Sequence, residues 1–213
     1  MKVEVKNLSK KIRGTMILQD INLSMTSGHI YGLRGKNGSG KTMFMRCLCG
    51  LILPSEGGVS IDGAYIGKDI DFPPSVGVLI ENPSFLNSYT GFQNLQLLAG
   101  IKGKISDEEI KEMLAAVGLE PEDKRKYKKY SLGMKQRLGI ACALMESPDM
   151  ILLDEPINAL DQKGVELVKA LLLELKKKDK LIVVACHDNG ELEYLSDTIY
   201  AVENGCIGPE EKV

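Results

Sequence analysis

Residues 35–42 read GKNGSGKT, three glycines in eight residues ending in a lysine and a hydroxyl. Ahead of them HIYGLRG is strand-like, and after them MFMRCLCGL carries apolar residues at helical spacing as far as Gly50, with Pro54 beyond. Strand, glycine loop and helix in that order form a phosphate cradle. Without β-carbons, Gly35, Gly38 and Gly40 let successive N–H groups turn inward around an anion, and the following helix points its positive end at the same place. The run fits G-x-x-x-x-G-K-[ST] at every fixed position. Lys41 supplies a charge for the β- and γ-phosphates and Thr42 a hydroxyl for Mg²⁺. Lys36, Asn37, Ser39 and Met43 complete the expected nucleotide-binding stretch, and a nucleoside triphosphate is the ligand this chemistry implies.

A phosphate site alone hydrolyses nothing. MILLDEP at 150–156 is an apolar strand ending in two acids, at the end of the strand where α/β sheets present residues to ligands. Asp154 is placed to hold Mg²⁺ and Glu155 to polarise an attacking water. Taken alone this segment reads equally as a strand with solvated acids at its tip; the phosphate loop outweighs that reading. Over the whole chain Lys+Arg 27 against Asp+Glu 29 leaves a charge of −2. That balance supplies no general attraction for nucleic acid, and no such partner is expected.

At 213 residues the chain is long enough to bury a sizeable core. Its N-terminus is charged from the second residue, and no apolar run approaches the roughly 20 residues that span a bilayer, so a soluble, cytosolic chain is expected. Cysteines at 47, 49, 142, 186 and 206 lie in apolar segments and read as reduced, buried thiols; with two histidines, a Cys/His zinc cluster is not expected. Strand signals at 3–5, 21–25 and 29–35 precede the loop, and further strands follow at GGVSIDG and VGVLI. From about residue 82 to 148 the pattern is helical: FQNLQLLAGI, SDEEIKEMLAAVGL with a capping pattern at its start, and LGMKQRLGIACALM. Alternation then resumes with MILLD, VELVKALLLELKKK, LIVVAC and YAVENG. The chain thus reads as one domain of α/β class over 1–213. Residues 1–81 and 149–213 form its core and 82–148 a helical insertion.

These segments in this order resemble the ATPase subunits of ABC transporters. Besides GKNGSGKT and MILLDE, YSLGMKQR at 130–137 stands where that family has its signature, INALD at 157–161 where it has its D-loop, and His187 where it has a switch histidine. The resemblance implies a P-loop NTPase core, a mixed sheet with flanking helices, joined by an N-terminal antiparallel β part and an inserted helical subdomain. It implies ATP and Mg²⁺ as cofactors, with Lys41, Glu155 and His187 catalytic and Thr42 and Asp154 at the metal. Two such domains close head to tail in the family, so that Ser131 and Gly133 meet the nucleotide held by the partner. The expected partners are therefore a second nucleotide-binding domain, identical or a close paralogue, and a separate integral membrane permease that keeps the chain on the inner face of the cell membrane. YSLGMKQR and IENP at 80–83 most resemble bacterial bacitracin, bacteriocin and lantibiotic export or immunity ATPases, which implies export of a peptide, antibiotic or other drug.

Four positions, in three motifs, depart from the family pattern. Leu132 and Met134 replace a glycine and a glutamine of the signature. Glu81 stands for the glutamine expected at the metal; a carboxylate can coordinate Mg²⁺ but cannot donate a hydrogen bond. Ile12 occupies the place of the aromatic that stacks on adenine, a contact worth roughly 1 to 3 kcal/mol, so the base is expected to be held loosely, with Tyr31 a candidate substitute ring. Two other readings stay open: a soluble ABC ATPase outside transport, and a nucleotide-binding regulatory module with little turnover.

Overall fold

A computed structural model describes residues 1–81, 83–186 and 189–212. The chain opens with a hairpin of β1 (Lys2–Ile12) and β2 (Thr15–Thr26). Only its open end, at 3–5 and 21–25, was legible as strand, because apolar alternation lapses after Val5. Asn7, at φ 50°, lies where the register shifts between Val5 and Leu8, which returns Leu8 to the core side. Hydrogen bonding therefore continues through a stretch whose pattern has broken.

β3 (Ile30–Arg34) leads through the glycine loop into α1 (Lys41–Leu48). The helix begins two residues before its apolar spacing does, so Lys41 and Thr42 belong to its first turn. β4 (Glu56–Ile61), the short β5 (Ala64–Tyr65) and β6 (Val76–Leu79) follow. Three helices come next: α2 (Gly91–Lys102), α3 (Asp107–Ala116) and α4 (Leu132–Leu144), with a single 3-10 turn over Tyr127–Lys129. Ser106 and Glu109 form a reciprocal capping box on α3, as the Ser-Asp-Glu-Glu pattern leads one to expect, and Thr90 with Gln93 does the same for α2. β7 (Met150–Asp154), α5 (Gln162–Lys177), β8 (Leu181–Cys186), α6 (Asn189–Leu195), β9 (Thr198–Glu203) and β10 (Cys206–Lys212) complete the chain.

The strands form two sheets, an antiparallel one ordered β2-β1-β4-β5 and a six-stranded one ordered β10-β9-β3-β8-β7-β6. The second is parallel from β9 to β6, with β10 antiparallel on its edge. MILLD and LIVVAC are nearly continuous apolar runs because both faces of these strands are covered. Their residues divide by parity. Met150, Leu152, Leu181, Val183 and Ala185 join a core with α1 and the antiparallel sheet, while Ile151, Leu153, Ile182, Val184 and Cys186 join the helices on the other side. Register aligns Arg34 with Cys186 and Asp154 with Ala185, so the glycine loop and the residues after Asp154 emerge at one end of the sheet.

Two expectations need correcting. Cys206 is exposed, since it begins a strand at the sheet edge; Cys47, Cys49 and Cys186 are buried and Cys142 half-buried. Tyr31 lies in the core, stacked on Tyr200 with its hydroxyl accepting from Thr26 N at 2.8 Å, and is no substitute for an adenine-stacking ring.

Candidate functional site

The glycine loop is shaped by close backbone approach. A β-carbon on Gly35 would lie 2.2 Å from Val202 O of β9, so no other residue fits there. Gly40 caps α1 at φ 116°, a conformation a side chain would strain. Lys41 is buried, and its ammonium curls back to donate to Gly35 O at 2.5 Å and Lys36 O at 3.3 Å. The charge thus sits inside the loop. Ser39 Oγ is buried there with no hydrogen-bond partner among the described residues.

One residue further along α1, Thr42 Oγ1 donates to Asp154 Oδ2 at 2.6 Å, joining the loop to the end of β7. Burial pushes the Asp154 carboxyl above its ordinary range; the charges of Glu155 and Glu81 add to this, and the Thr42 bond and Lys41 oppose it. Glu155 follows in a left-handed turn, φ 49°, with its N–H donating to Ala185 O at 2.8 Å. Glu81, in the loop after β6, has φ 63° and takes a 2.6 Å ion pair from Arg46.

These groups line one open cleft: Lys36, Asn37, Gly38, Ser39, Gly40, Lys41, Thr42 and Met43 on one wall, Glu81, Asp154 and Glu155 on another, with Ile17 and Arg46 at its margins. Its oxygen-only metal donors, Thr42, Asp154 and Glu81, suit a hard cation such as Mg²⁺, and the buried Lys41 with the loop N–H groups suits a polyphosphate. Both implied groups fit. Arg46 and Ile17 were not anticipated, although Arg46 stands four residues after Thr42 and so shares its helix face. Its guanidinium answers the charge that Glu81 brings beside phosphate. Ile12 ends β1 partly exposed and does not line the cleft; Ile17 is the aliphatic that does.

Ser131 caps α4, its Oγ accepting from Met134 N at 3.2 Å, and Gly133 packs so closely on the turn after Glu155 that a β-carbon would lie 2.8 Å from Ala159 O. Neither lines the cleft. His187 lies outside the described residues.

A family model described as ABC transporter matches residues 18–158, a span holding the loop, Glu81, the α4 cap and Asp154–Glu155. The chain belongs to the ABC transporter family. It is 47% identical over 211 residues to YybJ of Bacillus subtilis (strain 168), an uncharacterized ABC transporter ATP-binding protein, covering 99% of this chain and 97% of that one. With the bacitracin transport ATP-binding protein BcrA of Enterococcus faecalis it shares 38% identity over 213 residues, 99% of this chain and 69% of BcrA. Among solved structures, the dimeric post-hydrolysis state of the ATP-binding cassette MJ0796 bound to ADP and Pi superposes with a TM-score of 0.87 at 28% identity, covering 99% of this chain and 98% of that one. As an ABC transporter ATP-binding subunit, the chain has ATP binding and ATPase activity as its general chemistry. No helix among the described residues is long and apolar enough to cross a membrane.

Proposed function

We propose that this chain hydrolyses ATP to drive a separate membrane-spanning permease, exporting a peptide, antibiotic or related drug from the inner face of the cell membrane. The observation that carries the hydrolytic part is the Thr42–Asp154 bond at the mouth of the loop that encloses Lys41, with Glu155 next in the chain. In this reading residues 35–40 and Met43 bind the triphosphate and Lys41 its β- and γ-oxygens. Thr42 and Asp154, with Glu81, would hold Mg²⁺, which would supply neutralisation of phosphate charge. Glu155 orients the attacking water and accepts its proton, and His187 contacts the γ-phosphate. Ser131 and Gly133 serve a partner's nucleotide, as their place outside their own cleft suggests. Residues 1–81 and 149–213 act as the nucleotide-binding core and 82–148 as the helical arm. Transport of such a cargo rests on likeness to the bacitracin transport protein, and its outward direction on the resemblance of YSLGMKQR and IENP to export ATPases.

Glu155→Gln tests this. The variant is expected to bind Mg-ATP, to lose at least about a hundredfold in turnover, the lower end of what a positioned base contributes, and to accumulate as an ATP-dependent dimer on a sizing column. Near wild-type turnover, or a monomer at saturating ATP, counts against it.

A further inference from the structure

Glu155 is held where its own backbone would not go. A φ of 49° is unfavourable for a residue with a side chain and persists only where neighbours over-determine it. One of those neighbours comes from a different element. Gln136 on α4 is buried, and its side-chain amide donates to two consecutive carbonyls, Glu155 O at 3.0 Å and Pro156 O at 3.1 Å. Both of its N–H bonds are used on this turn. The next residue, Arg137, donates to Asp161 Oδ1 at 2.5 Å and Gly118 O at 3.0 Å, and Gly133 one turn earlier abuts Ala159 O. The start of α4 therefore grips the 155–161 segment at three successive points. Ser131, which caps that helix, is five residues from Gln136.

We propose that Gln136 is a positioning residue for hydrolysis: its amide fixes the left-handed turn at Glu155 and so ties the base of one site to the helix that meets the nucleotide of the other. This rests on the reading of Glu155 as base and of Ser131 as facing a partner's nucleotide. When α4 is seated against that nucleotide, the Gln136 bonds hold Glu155 aligned in its own cleft. Because these bonds are made within the single chain, any shift of α4 on meeting that nucleotide is passed to the turn at Glu155. The two ATPs of a dimer are thereby coupled within each chain through one side-chain amide.

The test uses the purified full chain with Gln136→Met, which keeps the length and removes both donors, and Gln136→Glu, which keeps the shape and offers no donor when ionised. Each is expected to lower kcat at least tenfold while the KM for ATP stays within about threefold, the pattern of a group needed after binding. In a Glu155→Gln background, where no base is present, Gln136→Met should leave the ATP-dependent dimer intact. A merely structural role would instead depress nucleotide affinity, dimer formation and melting temperature together, and that outcome overturns the proposal. So does wild-type kcat in either variant. If Gln136→Met fails to fold, Gln136→Glu decides alone. Full activity in Glu155→Gln would remove the reading of the base itself, whereas an inactive Glu155→Gln beside a fully active Gln136→Met would remove only the role of Gln136.

Discussion

Asp154 shows at the scale of one residue what the site costs the fold. Its carboxyl is buried beside Glu155 and Glu81, and Thr42 and Lys41 offset only part of that, so its pKa in the folded chain lies above the ordinary 3.8. A carboxyl that binds its proton more tightly folded than unfolded contributes stability below its unfolded pKa. That contribution is lost as pH rises through the folded value, and the ionised group then burdens the native state. Asp154→Asn should therefore raise the melting temperature of the nucleotide-free chain by a few degrees at about pH 7, with a smaller rise at about pH 4.5, nearer the carboxylate range. With Mg-ATP the order should reverse under the proposed metal role of Asp154, because only the wild type offers a carboxylate there. Thermal unfolding of both proteins, with and without Mg-ATP, measures this; a lower melting temperature for the apo variant would contradict it.

At the scale of elements, α4 is the piece on which the site depends, and glycines set its height above the sheet. A β-carbon on Gly77 of β6 would lie 1.8 Å from Ala143 O, and one on Gly139 would lie 2.8 Å from Pro83 Cβ. The helix rests on bare backbone at both contacts. The loop after β6 is then clamped from its other side, since Tyr127 donates to Pro83 O at 2.8 Å and Gly91 N donates to the Tyr130 hydroxyl at 3.1 Å. The basic stretch at 124–129 thus exposes its charges while burying Tyr127 as an anchor. Gly77→Ala should cost about 1 to 3 kcal/mol by forcing α4 off β6. Gly100→Ala, on an exposed part of α2 with nothing within 4 Å, should stabilise by roughly 0.5 to 1 kcal/mol through helix propensity. Urea denaturation of the pair separates the two effects, and equal, small changes would mean that α4 has room to move.

For the whole molecule, we propose that the permease is received in the groove between the loop after β6 and α4, lined among others by Ser84, Phe85, Asn87, Tyr127, Leu132 and Lys135. It lies between the Glu81 loop and the signature helix, so a permease seated there would reach both. A cysteine at Ser84, in a Cys206→Ser background, should crosslink to the permease in membranes; Asn82, in the same segment, lies outside the described residues. The remaining thiols should stay silent, since burial pushes Cys47 and Cys142 up to about 11 and raises Cys49 as well, while Cys186 is itself buried. Crosslinks only from exposed sites on the opposite face would place the permease elsewhere.

Sequence alone determined what is local in backbone chemistry. The glycine loop, its lysine and threonine, and the acids at the tip of MILLD declare themselves because each function needs particular groups within a few residues, and strand or helix periodicity supplies their setting. The cap of α3 was legible for the same reason. Tertiary structure decided the pairings between distant segments. Arg46 meets Glu81 across 35 residues and Gln136 meets Glu155 across 19, and neither pair leaves a period or spacing to read. Ile17 rather than Ile12 faces the cleft because the β1–β2 hairpin extends, with shifts of register, past the point where apolar alternation had lapsed. A side chain's chemistry is written at its own position, but its partner is set by how two sheets and a helical layer close on each other, and that depends on the whole chain at once.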